Sequence, residues 1–118
     1  MTPSQKRALA ELWPKYGCEF STTALEFKKL FGRDAPVVLE IGFGNGDTLV
    51  EQAAMSPDID FLGIEVHEPG VGHCLIAAND ASLENLRLIV HDAIEAVSYT
   101  HLTLPTICFK CRSRWGGG

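Results

Sequence analysis

Glu40-Ile41-Gly42-Phe43-Gly44-Asn45-Gly46 is the stretch of this chain richest in chemical possibility. It follows the apolar run Val37-Val38-Leu39. Glycines at alternate positions let a chain turn sharply and bring its backbone close to a ligand, because no side chain stands between. A carboxylate just before such a turn suits a ligand with a cationic amino group, since carboxylate and ammonium form a strong charge-assisted hydrogen bond. Glu40 sits in an otherwise apolar run, and a buried carboxylate without a partner is costly, so a partner is expected. Glu65 lies 19 residues beyond Gly46, at the end of the second apolar run Ile59 to Val66. A carboxylate placed there can accept hydrogen bonds from both hydroxyls of a ribose. Asp92 follows a third run, Leu86 to Val90, where it either borders an adenine or caps a helix.

A molecule with an ammonium at one end and a nucleoside at the other is S-adenosylmethionine. Its expected contacts are Glu40, Gly42, Phe43, Gly44, Asn45, Gly46, Glu65, Val66, Asp92 and Ala93. A bare tight turn is the plainest alternative for the glycines. A nicotinamide-dependent oxidoreductase fragment is disfavoured, because Asp47 stands where a dinucleotide fingerprint needs a small residue for close helix packing. A phosphate-binding Walker loop is disfavoured too, because no lysine follows the glycines.

No residue is expected to be catalytic, and no metal site is expected. His67, His73, His91 and His101 lack ligand spacing with acids or cysteines. Cys108-Phe109-Lys110-Cys111 is a lone pair of cysteines, which with Cys18 and Cys74 is read as reduced thiols.

These residues need elements to hold them. Runs 37–42, 59–66 and 86–90 are too short for helices and rich in branched residues, which predicts buried strands. Segments 46–57 and 69–81 between them have helical character. Strands alternating with helices imply parallel pairing with helices on the faces, an α/β layered sheet whose ligands sit at the carboxyl ends of the strands. Before it, 4–16 predicts a short amphipathic helix stopped by Pro14 and Gly17, with Trp13 as a core or docking residue. Segment 21–32 predicts a second short helix or ordered lead-in closing on Gly32.

The chain has 118 residues, enough for one ordinary domain, and its net charge of −5 is unevenly spread. Residues 1–34 carry +2, residues 35–97 carry −10 and residues 98–118 carry +3. An acidic middle cannot be the main surface gripping a nucleic-acid backbone, so such a surface belongs to the first segment or to further sequence. Lys6, Arg7, Lys15, Lys28 and Lys29 are either RNA contacts or a solvated helix face. No apolar run is long enough to cross a bilayer and no signal core opens the chain, so a cytoplasmic location without membrane contact is expected.

The pieces ALAELWPKYG, LEIGFGNG, GIEVHEPGVG and NLRLIVHDA, in this order, resemble the bacterial tRNA (guanine-N(7)-)-methyltransferase family from about Ser4 to Val97. The glycine loop is common to many methyltransferases, whereas GIEVHEPGVG is distinctive. The resemblance implies a Rossmann-like class I methyltransferase fold. It makes Glu40, Glu65 and Asp92 the acids around the cofactor, and the variable-loop guanine of tRNA the substrate.

The family continues into further strands with a P-D-P-W motif whose Asp is taken as catalytic. Nothing from Ser98 onward matches it. The expected division is an N-terminal helical extension at 1–34, a cofactor-binding half at 35–97 and a non-family tail at 98–118. That tail is either a natural strand or a reading-frame junction. The fold is therefore expected to be incomplete, with about three parallel strands and an open sheet edge that lowers stability and favours self-association. Methyl transfer to tRNA is expected to be negligible, which leaves a cofactor-binding module without catalysis as the alternative reading.

Overall fold

The computed structural model describes residues 1–19 and 26–92, together with the backbone of residues 107–111. In chain order the elements are α1 (Pro3–Glu11), α2 (Trp13–Tyr16), α3 (Phe27–Phe31), β1 (Val37–Ile41), α4 (Asp47–Met55), β2 (Asp60–Glu65), α5 (Glu68–Asp80), β3 (Leu86–Val90) and β4 (Ile107–Cys111). All three predicted strands form and pair in parallel, in the sheet order β3-β2-β1-β4. Consecutive parallel strands cannot be joined by a tight turn, so α4 and α5 serve as the crossovers.

The expected open edge on β1 does not occur. β4 pairs with β1 in parallel over five residues, with Val37 opposite Ile107 and Ile41 opposite Cys111. A strand with unpaired amides and carbonyls is a template for another strand, and here the chain itself supplies one. β4 lies in the segment expected to stand outside the fold.

Side chains alternate between the two faces of a strand, and the core divides accordingly. Val37, Leu39, Leu62, Ile64 and Ile89 form one cluster with Phe27 of α3. Phe61, Leu86 and Leu88 face the other way, against Leu49 and Ala53 of α4, Leu75 and Ala78 of α5, and Ala8 of α1. Leu39, Leu62 and Ile64 have no exposed surface, which stabilises the fold by about 1.5–3 kcal/mol each.

The amino-terminal helices lock onto this frame. Thr2 and Gln5 exchange side-chain and backbone hydrogen bonds in a capping box that starts α1. The single helix expected over 4–16 is instead two, because Pro14 has no N–H to donate and breaks the ladder after Glu11. It then fits in the first turn of α2, where no donor is needed. The buried Tyr16 hydroxyl donates to the Leu83 carbonyl at 3.1 Å, tying α2 to the turn between α5 and β3. Just beyond, the Cys18 N–H donates to the Leu88 carbonyl at 2.8 Å, covering part of β3's outer edge. Trp13 docks locally: its ring lies against Gly17 and its indole N–H donates to Glu19. The predicted lead-in over 21–32 contributes α3 and the left-handed Gly32 (φ 75°), while residues 20–25 lie outside the described residues.

The amino-terminal ends of the strands are fastened by two polar residues. Asp60 is 1% exposed and its Oδ1 accepts from Arg33 Nε at 3.0 Å and Nη2 at 2.6 Å. The Asn85 amide nitrogen donates to the carbonyls of Ala53, Ser56 and Ile59, closing the end of α4 onto the start of β2. Among the described residues, Ser82 is the non-glycine residue with positive φ (54°), a left-handed conformation that costs about 1–2 kcal/mol.

Candidate functional site

At the carboxyl end of β1 the chain leaves the sheet through three left-handed glycines, Gly42, Gly44 and Gly46, with φ of 71°, 66° and 80°. Gly46 opens α4, and a Cβ there would fall 2.4 Å from Cys74 Sγ on α5, so both conformation and space require glycine. On α5, a Cβ at Gly70 would meet the Gly44 carbonyl oxygen at 2.2 Å. The start of α5 thus rests directly on the loop. Among the described residues nothing lies within 4 Å of the position a Cβ would take at Gly44 itself, which leaves the loop open to them on that side.

Glu65 ends β2 beside this opening. Its Oε1 accepts from the Gly44 N–H at 2.7 Å, and its Oε2 accepts from Val66 and His67 N–H at 3.0 and 3.1 Å. Three amides therefore fix a carboxylate that is only 2% exposed, and each charge-assisted bond is worth about 1.5–3 kcal/mol. Glu40 is completely buried. By alternation it shares the face of Phe61 and Glu65 rather than that of Leu39, so the two acids lie on one side of the sheet. Electrostatics agrees. Burial, then the charges of Asp47 and Glu40, push the Cys74 thiol from 9.0 to about 12, which sets Glu40 on the α5 side.

The remaining expected contacts are placed as follows. Phe43 is buried beneath the loop, where a Cβ at Gly63 would meet its ring at 2.7 Å, so it supports the turn rather than lining the opening. Asn45 is exposed and its Oδ1 accepts from the Asp47 N–H at 3.3 Å. Val66 is a large apolar residue left 58% exposed immediately after Glu65. Asp92 is exposed past the end of β3, whose path is tied to β2 by the His91 N–H donating to the Glu65 carbonyl at 3.2 Å. Ala93 lies outside the described residues.

Two features had no signal in the spacing. Asp47 and His73, 26 residues apart, meet at 2.9 Å between Oδ1 and Nε2, joining the first turn of α4 to α5. Gly70 was visible only as a costly glycine within a helix, a position that usually has a packing reason. Among the described residues no group of three His, Cys, Asp or Glu is arranged to hold a metal ion, and no helix is long and apolar enough to cross a membrane.

Comparison with known proteins places this site in context. A family model described as "Putative methyltransferase" matches residues 34–106. The chain is 57% identical over 97 residues to the tRNA (guanine-N(7)-)-methyltransferase of Photorhabdus laumondii, covering 82% of this chain and 41% of that protein. It is 55% identical over 105 residues to the tRNA (guanine-N(7)-)-methyltransferase of Escherichia coli O139:H28, covering 89% of this chain and 43% of that protein. The chain thus spans about two fifths of the length of these relatives. In fold it is similar to PKMT2 from Rickettsia typhi, solved in complex with AdoHcy, with a TM-score of 0.55 and 18% identity over 93% of this chain and 18% of that one. The alternating strands, the glycine turn and this family match have one conclusion: the chain has a Rossmann-like fold and belongs to the methyltransferase family that the model describes.

Proposed function

We propose that this chain holds S-adenosylmethionine for a tRNA (guanine-N(7)-)-methyltransferase. The observation that carries the reading is the open side of Gly44 next to a Glu65 carboxylate fixed by three backbone amides. Glu40 would take the ammonium, the Gly42–Gly46 loop would lie under the amino acid part, and Glu65 would meet the ribose hydroxyls. Exposed Val66 and Asp92 stand where the adenine would pack, with Ala93 next in sequence. The bound cofactor supplies an electrophilic methyl group on a positively charged sulfur.

The residues of this chain bind and orient. N7 of guanine already carries a lone pair, so alignment with the methyl carbon supplies most of the acceleration and no strong base is required. The relatives' names support tRNA as the acceptor, and a cytoplasmic location follows from that substrate. Residues 35–97 form the cofactor-binding unit in this reading. Residues 1–34 buttress it, and within 98–118 the strand β4 pairs with β1 at the edge of its sheet.

Isothermal titration with S-adenosylhomocysteine and with NAD tests the cofactor. Saturable heat from the first and none from the second is expected, and the reverse pattern overturns the assignment. Transfer of labelled methyl to tRNA, expected to be negligible for this chain alone and mapped to guanine N7 in a whole-length relative that contains the same segment, tests the acceptor. Label on another base overturns it.

A further inference from the structure

A second concave site lies at the opposite end of the strands from the glycine loop, and it is independent of the methyl-donor reading. It is a cleft of about 410 Å³ between the end of α4, the turn after α5 and the start of β3. That volume is within the range of small-molecule sites. We propose that this cleft binds a small phosphate monoester carrying a flat ring, such as a pyrimidine nucleoside monophosphate.

Two guanidinium groups border the cleft, those of Arg33 and Arg87. Arg33 spends Nε and Nη2 on Asp60 and the Pro57 carbonyl. Arg87 spends Nη1 on the carbonyls of Glu84 and Leu86, at 3.2 and 2.7 Å. Among the described residues, this leaves the Nη1 group of Arg33 and the Nε and Nη2 groups of Arg87 without an acceptor. Each guanidinium has five donors in a fixed fork that matches a phosphate's oxygens.

Both arginines are also held in position. Arg33 is anchored by the buried Asp60, and the Arg87 guanidinium lies 5.4 Å from the centre of the Phe31 ring. The rim acid Glu84 is paired with Lys15 at 3.2 Å and Arg33 feels the charges of Asp60 and Asp58, so among the described residues Arg87 is the cleft's guanidinium without an ion pair. The lining mixes polar and apolar surface, and the exposed Ala54 and Pro57 offer a patch on which a ring can rest.

Ser82 supplies an independent observation. It lines the cleft at the left-handed position after α5, where helices usually place glycine. A hydroxyl-bearing residue is thus kept in the lining in spite of the backbone strain.

The experiment is a titration of the ¹⁵N-labelled chain with UMP, uridine and inorganic phosphate, followed by backbone amide shifts. UMP is expected to move the amides of residues 82–87 saturably, with uridine and phosphate each binding far more weakly and saturating S-adenosylhomocysteine leaving UMP affinity unchanged. Arg87→Gln should weaken UMP binding about tenfold or more, from the loss of charge-assisted bonds. Ser82→Gly should raise the Tm, because strain is relieved, while weakening UMP binding several-fold. A purely structural serine would not give that opposed pair of effects. Shifts centred on residues 42–46, phosphate binding as tightly as UMP, or unchanged affinity in both variants would overturn the proposal.

Discussion

The Gly44 N–H donates to Oε1 of Glu65 at 2.7 Å, joining the turn after β1 to the acid that ends β2 across 21 residues of sequence. Because the same carboxylate also accepts from Val66 and His67, it is held by donors on both sides of the opening. Glu65→Gln presents an amide N–H₂ to at least one of these donors. We predict a loss of about 1–3 kcal/mol in stability. Affinity for S-adenosylhomocysteine should fall more than about tenfold, since the proposed charge-assisted bond to the ribose is lost as well. Denaturant unfolding and calorimetric titration read the two effects separately.

Two glycines that touch the same loop should respond differently to alanine. A methyl at Gly70 collides with the Gly44 carbonyl oxygen at 2.2 Å, which backbone cannot easily yield. Gly70→Ala should cost about 1–3 kcal/mol, the range for overpacking. Among the described residues a methyl at Gly44 meets nothing within 4 Å, so it adds left-handed strain of about 1–2 kcal/mol. It would stand where the cofactor is proposed to lie, so Gly44→Ala should lose binding while the chain remains folded. Thermal melts with and without S-adenosylhomocysteine check both: the ligand should raise the Tm of Gly70→Ala but not that of Gly44→Ala.

Cys74 gives a pH dependence with a definite sign. Burial, followed by the charges of Asp47 and Glu40, raises its thiol to about 12 from 9.0. Above pH 9 the unfolded chain releases this proton while the folded chain keeps it. The unfolded state then binds fewer protons, and stability falls as pH rises, by at most about 1.4 kcal/mol per pH unit. The full contribution is present below pH 9, and the decline ends near pH 12. Cys74→Ala should flatten this part of the stability profile. Mass-spectrometric labelling at pH 8 should find Cys74 unmodified in the folded chain and reactive after unfolding.

Arg33 and Asp60 form the ion pair under the sheet, with Asp60 buried and Arg33 partly open to solvent. Arg33→Met leaves the carboxylate without its charged partner and should destabilise by about 3 kcal/mol, the lower end for breaking a buried pair. Adding Asp60→Asn to Arg33→Met should recover part of the loss. A double-mutant cycle in urea measures the recovery, and strict additivity would contradict the pairing.

The strands could be read from sequence because their burial is local in origin: Val37 to Leu39, Phe61 to Ile64 and Leu88 to Val90 are apolar on both faces, as strands between two layers must be. The glycine turn was legible for a similar reason, since its conformation is written in residue type. Contacts between distant elements were not. Asp47 and His73 meet only because α4 and α5 pack side by side, and β4 finds β1 across more than sixty residues that no period encodes. Phe43 was grouped with the ligand contacts by adjacency to the glycines, yet it packs inward against Gly63. Position next to a functional turn does not say which way a side chain faces. Pro14 was recognised as a stop signal, but its tolerance in a new first turn made two helices where one was expected.

A crystal structure of the chain soaked with S-adenosylhomocysteine tests the central claim most directly. The account predicts the amino acid portion over Gly44, the ammonium toward Glu40 and the ribose hydroxyls within hydrogen-bonding distance of Glu65. A ligand bound elsewhere, with the Gly44 side of the loop empty or Glu65 out of its reach, would contradict it.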